Sequence, residues 1–140
     1  MTDIDEDSGR TSERGLTDRM AFRGIDWHTV PAQPGVYVIY DHEEVVDVGM
    51  AGRNGRGSLR SRLRDHASGQ IVNMFAQYLF VTRVQLLAAE RIVHPRDAKA
   101  ACRSYISERC LFRFRTTAGS PEARELERQL KAALRPSLHP

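Results

Sequence analysis

The stretch that most constrains this chain runs from Pro34 to His66, PGVYVIYDHEEVVDVGMAGRNGRGSLRSRLRDH. Its first part, Val36–Tyr40, is apolar and wholly β-branched or aromatic, which suits a strand. A polar loop, Asp41–Glu44, leads to a second apolar run, Val45–Val48, that stops at Gly49. Two strands around so short a connection form an antiparallel hairpin. Period two puts Tyr37 and Ile39 on one face of the first strand, and Val45, Asp47 and Gly49 on one face of the second. The expected pairing sets Tyr37 opposite Asp47 and leaves Asp41, His42 and Glu43 as a three-residue loop. A slip of one residue would send Asp47 to the other face.

After Gly49 the chain enters AGRNGRGS and then SLRSRLRDH, which reads as helix with Ser58 as its cap and Gly69 just past its end. At 3.6 residues per turn Leu59, Leu63 and His66 share a face, with Arg62 on the same side one turn before His66. The leucines dock the helix, and Arg62 and His66 emerge together beside the hairpin. Taken alone, an arginine on a helix surface and a histidine in its last turn are ordinary solvated features. Here Arg53, Arg56, Arg60, Arg62 and Arg64 follow one another without an acid, and Gly52, Gly55 and Gly57 let backbone amides approach an oxyanion. This is the strongest phosphate-binding signal in the chain, set against the alternative of a solvated loop. The absence of GKS or GKT after the glycines excludes a P-loop.

Beyond the hairpin, Ile71, Met74, Phe75, Tyr78 and Leu79 recur at helical spacing, so 70–79 is expected to be a helix. Residues 80–87 then alternate, which suggests an extra strand, with helix continuation as the alternative. A helix over 97–109 buries Ala98, Ala101, Cys102, Tyr105 and Ile106, and Leu111–Thr116 is a strand. In the last helix Ser120 caps, Pro121 takes the first position and Ala123, Leu126, Leu130, Ala133 and Leu134 form the apolar stripe. Glu125 and Glu127 fall on opposite edges of that stripe, and helical geometry alone does not choose between them. The fold class is therefore α+β: a small, mainly antiparallel sheet of a hairpin plus a third strand, with a fourth as the alternative, flanked by helices.

Gly-Val-Tyr at 35–37, Asp-Val-Gly at 47–49, Arg62 with His66, Glu127 and Pro136 follow the order and approximate spacing of one family. Residues 30–140 resemble the GIY-YIG endonuclease superfamily. The resemblance implies a divalent-metal-dependent endonuclease that hydrolyses phosphodiester bonds in DNA, with RNA as the other candidate polymer. It selects Glu127 over Glu125 and implies that Glu127 holds Mg²⁺ or Mn²⁺. By the same resemblance Arg62 contacts the scissile phosphate, Tyr37 lies near the nucleophile, and His66 bonds a nucleophile or a phosphate oxygen. Asp47 stands where the family has a second tyrosine, and His139 where it has asparagine. His139 could hold a water on the metal. Those two departures motivate the alternative, a nucleic-acid-binding module of the same fold with weakened or lost cleavage. Arg53, Arg56, Arg60 and Arg64 are the expected nucleic-acid contacts.

Composition fits this reading without proving it. The formal net charge of +3 divides unevenly, because residues 1–19 are net acidic and the remainder is net basic. Residues 1–19 read as a disordered acidic tail and 20–140 as one nuclease-like domain. A basic body suits a polyanionic partner. Two cysteines, Cys102 and Cys110, are too few for a disulfide framework or a zinc module. Without an apolar run of the ~20 residues that span a bilayer, the expectation is a cytoplasmic protein away from membranes, as monomer or homodimer.

Overall fold

The computed structural model describes residues 13–70 and 73–138, Asn54 by its backbone alone. Met20–Ala21 (β1), Gly35–Asp41 (β2), Glu44–Ala51 (β3) and Cys110–Thr116 (β4) form one antiparallel sheet in the order β1–β4–β2–β3. The chain is α+β, with helices on both faces of this sheet. β2 is bonded on both sides and buried along its whole length, which is why it reads as an unbroken apolar run. Tyr37, Ile39, Phe112 and Phe114 face the larger core cluster, while Val36, Val38, Tyr40, Val48 and Met50 face the smaller one.

The hairpin register differs from the expected one. Tyr37 pairs with Gly49 and Ile39 with Asp47; a bulge follows, and Asp41 then pairs with Glu44. The connection is the two residues His42 and Glu43, with His42 at φ +55°. Two contacts explain the shift. Asp41 is buried in the strand rather than sitting in the loop, where its carboxylate accepts from the Tyr105 hydroxyl and from Arg83 at 2.9 Å. Across the hairpin, the Tyr37 ring lies over Gly49, where any Cβ would overlap its hydroxyl. The displacement is two residues, so parity is kept and Asp47 still shares a face with Tyr37. Gly35 has a similar reason for being glycine, since a Cβ there would strike the Arg115 carbonyl of β4.

Leu59–Ala67 (α1) begins with a capping box between Ser58 and Ser61 and buries Leu59, Leu63 and His66. Met74–Leu79 (α2) is capped by Asn73 and so starts later than expected; Ile71 lies outside the described residues. The expected strand over 80–87 is helical instead: Phe80–Val84 is a π-helical turn that continues α2 into Gln85–Leu87. Its fifth residue of spacing buries Val84 after Leu79 and brings Arg83 to Asp41, Glu44 and Ser137. The fourth strand of the sheet is β1 instead, and the alternation over 80–87 does not mark a strand. Pro95–Arg109 (α3) buries Ala98, Cys102, Tyr105 and Ile106, and both cysteines are free and buried.

Ser120–Leu134 (α4) buries Ala123, Leu126 and Leu130 against the smaller cluster. Gly119, not Ser120, occupies its cap position, and Glu122 accepts from the Ala118 amide at 2.8 Å. Residues 13–19, assigned to the tail by composition, lie along β4: the Thr17 amide donates to the Phe114 carbonyl and Arg113 to the Thr17 carbonyl. Trp27 stacks against Phe112, as core packing requires. Among the described residues no helix is long and apolar enough to cross a membrane.

Candidate functional site

β3 is an edge strand, and α1 and α4 cover opposite faces of the sheet next to it. A cleft of about 820 Å³ opens along that edge. Tyr37 from β2, Asp47 from β3, Arg62 and His66 from α1, and Glu127 from α4 all line it, together with Arg53 and Arg56 from the glycine-rich segment. Five side chains separated by up to ninety positions thus meet because the hairpin, the helix after it and the last helix share one sheet edge. Met74 and Tyr78 of α2 give the cleft an apolar rim.

Tyr37 is buried, with its hydroxyl 2.7 Å from His66 Nε2. Burial pushes the phenol up, the negative charges of Asp47 and Glu127 add to this, and Arg62 opposes it by charge and hydrogen bond. The proton is thus held firmly at neutral pH. Burial pulls His66 down to about 4, with Arg62 assisting and Asp47 opposing, so the ring is neutral. Both ring nitrogens are engaged, Nε2 with Tyr37 and Nδ1 with Asn73 at 2.9 Å. His66 lines the cleft, but with both nitrogens engaged it acts on a ligand there through Tyr37. Burial pulls the Arg62 guanidinium down, but Tyr37, Asp47 and Asp65 outweigh it, and the net shift is upward.

No family model, no curated protein and no solved structure matches this chain.

Helix α4 separates the two glutamates that helical geometry left equivalent. Glu125 is turned to solvent and paired with Arg128 at 2.5 Å, whereas Glu127 has a side chain only 14% exposed, lines the cleft and faces Lys131 at 3.6 Å. Asp47, 6% exposed, is a second carboxylate in the same cleft. Two carboxylates suit a hard divalent cation that keeps most of its own water. Among the described residues no group of three or more His, Cys, Asp and Glu side chains could hold a metal ion. His139 lies outside the described residues.

The arginines divide. Arg53 and Arg56 line the cleft; Arg64 is exposed and does not; Arg60 donates to the Val30 carbonyl at 2.8 Å, tying α1 to the segment before β2. The glycine-rich segment is also less open to an anion than expected. Its Arg53–Gly55 turn uses the amides of Gly55 and Arg56 for bonds to the carbonyls of Gly52 and Arg53. Asn73 escaped the sequence reading, and so did the place of Lys131 in the cleft. An asparagine just before an apolar-periodic helix is a cap signal, and it could have been read at Asn73. For Lys131 the signal is its i,i+4 spacing from Glu127.

Proposed function

We propose that the chain is a divalent-metal-dependent endonuclease acting on DNA, of the GIY-YIG kind. The observation that carries this reading is the convergence of Tyr37, Asp47, Arg62, His66 and Glu127 on one cleft rimmed by Arg53 and Arg56. Phosphodiester hydrolysis needs a positioned nucleophile, charge stabilisation on the phosphate and proton transfer. Arg62 offers a planar fork to two phosphate oxygens, where a lysine would be a point charge. Tyr37 stands beside it with a hydroxyl that orients water or a phosphate oxygen, and Asp47 supplies a charged acceptor. Glu127 would hold Mg²⁺ or Mn²⁺, which would supply positive charge at the phosphate. Arg53 and Arg56 contact flanking phosphates.

The test is nicking of supercoiled plasmid with Mg²⁺ or Mn²⁺. Wild type nicks only with metal, and Glu127→Ala loses ~100-fold or more in rate while still binding DNA. If Glu125→Ala is the inactive variant instead, the site has been assigned to the wrong edge of α4. The second reading, a binding module without cleavage, draws on Asp47 at the position of the expected tyrosine and on the Glu127–Lys131 ion pair. Salt-sensitive DNA binding with no nicking under either metal would establish it.

A further inference from the structure

Asn73 makes two side-chain contacts, and the first determines the sense of the second. Its Oδ1 accepts from the Phe75 amide at 2.9 Å, the capping bond of α2. With that oxygen committed to a donor, the group facing His66 Nδ1 at 2.9 Å is the amide NH₂, which can only donate. Exchanging the two atoms would set an NH₂ against the Phe75 N–H and lose the cap. His66 Nδ1 is therefore an acceptor without a hydrogen. A neutral imidazole then carries its proton on Nε2, and Nε2–H donates to Tyr37 Oη across 2.7 Å.

We infer that Asn73 is a positioning residue: through the tautomer of His66 it fixes the direction of the hydrogen bond at Tyr37. The phenol oxygen accepts from the protein, and its own O–H is left for an acceptor in the cleft. In the opposite tautomer His66 would take up the phenol hydrogen and turn it away from the cleft. The orientation also prepares the oxygen for negative charge, since an N–H donor already points at it. His66 is 2% exposed and packs edge-on to Phe75 and tilted to Tyr37, so its ring cannot turn over to reverse the arrangement without disturbing both. The hydrogen-bond direction stands on geometry alone; its value for cleavage rests on the nuclease reading.

Long-range ¹H–¹⁵N spectra of the full chain, labelled at histidine and recorded at pH 7, read the tautomer directly. His66 is expected to show a pyrrole-like Nε2 and a pyridine-like Nδ1. Asn73→Asp keeps a cap of equal quality but presents an acceptor to Nδ1, so the ring is expected to change to the Nδ1–H form. In the nicking assay the same variant should lose ~10-fold or more in kcat with KM nearly unchanged. A wild-type Nδ1–H spectrum, or an Asn73→Asp spectrum identical to wild type, overturns the inference. A switched tautomer with wild-type kcat overturns its catalytic part. Wild type that never nicks counts against the nuclease reading alone, because the spectra still decide the hydrogen bond. Should Asn73→Asp not fold, the wild-type spectrum alone decides it.

Discussion

Asp47 departs most clearly from the pattern that its neighbours follow. It is a charged group where the resemblance leads one to expect a phenol, and it is nearly buried. Its charge is felt by Tyr37, Arg62 and His66 together, which makes it the negative centre of the cleft. If Asp47 orients water in a nuclease, Asp47→Asn should lower nicking ~10-fold or more, while Asp47→Tyr preserves or raises it. Wild-type rates in Asp47→Asn would remove it from the chemistry. Gain of cleavage only in Asp47→Tyr would identify the natural chain as the binding module. Glu127, which the resemblance already selected, lines the cleft in the structure. Its stripe-edge position was visible on a helical wheel, but which edge looks into the cleft depends on how α4 lies on the sheet.

At the scale of elements, the glycine-rich segment and α1 act as one unit whose arginines have separate duties. Five arginines in twelve residues look alike in sequence. Folding sends Arg60 back to the Val30 carbonyl, leaves Arg64 away from the cleft and keeps Arg53 and Arg56 on its wall. Replacing Arg53 and Arg56 together should lower the log–log salt slope of DNA binding by about one to two units, through fewer released counterions. Arg60→Gln should instead loosen α1 and lower stability with little change in that slope. Titrations at several salt concentrations separate the two; an unchanged slope in the double variant would locate the nucleic-acid surface elsewhere. The π-helical turn makes a similar point. Alternation over 80–87 suggests a strand, yet the segment is helical and holds Arg83 at Asp41 and Glu44.

For the whole molecule, the neutral buried His66 ties stability to pH. In the fold its midpoint is about 4, whereas an unfolded histidine takes its proton near 6.5. Between those values the unfolded chain binds more protons, so this contribution is complete above pH 6.5 and is lost as pH falls towards 4. Its size is roughly 3 kcal/mol. Urea unfolding of wild type and His66→Gln at pH 7 and pH 4 checks it: the variant should lose less stability between the two. Equal losses would mean that His66 is not buried as a neutral ring.

By itself the sequence determined the local elements of this protein: the hairpin, three of the helices nearly to their ends, the β4 strand and the absence of a P-loop. These follow from periodicity, capping and turn chemistry, which act between residues a few positions apart. It also determined that Tyr37 and Asp47 share a face, since parity survives an even slip. Only the tertiary structure decided the register, the helical course of 80–87 and the place of residues 13–19. Each of these depends on a partner far along the chain. Asp41 is drawn into its strand by Tyr105 and Arg83, and Tyr37 meets His66 and Asn73 because α1 and α2 pack on the same face of the sheet. Such contacts leave no spacing for a sequence to display.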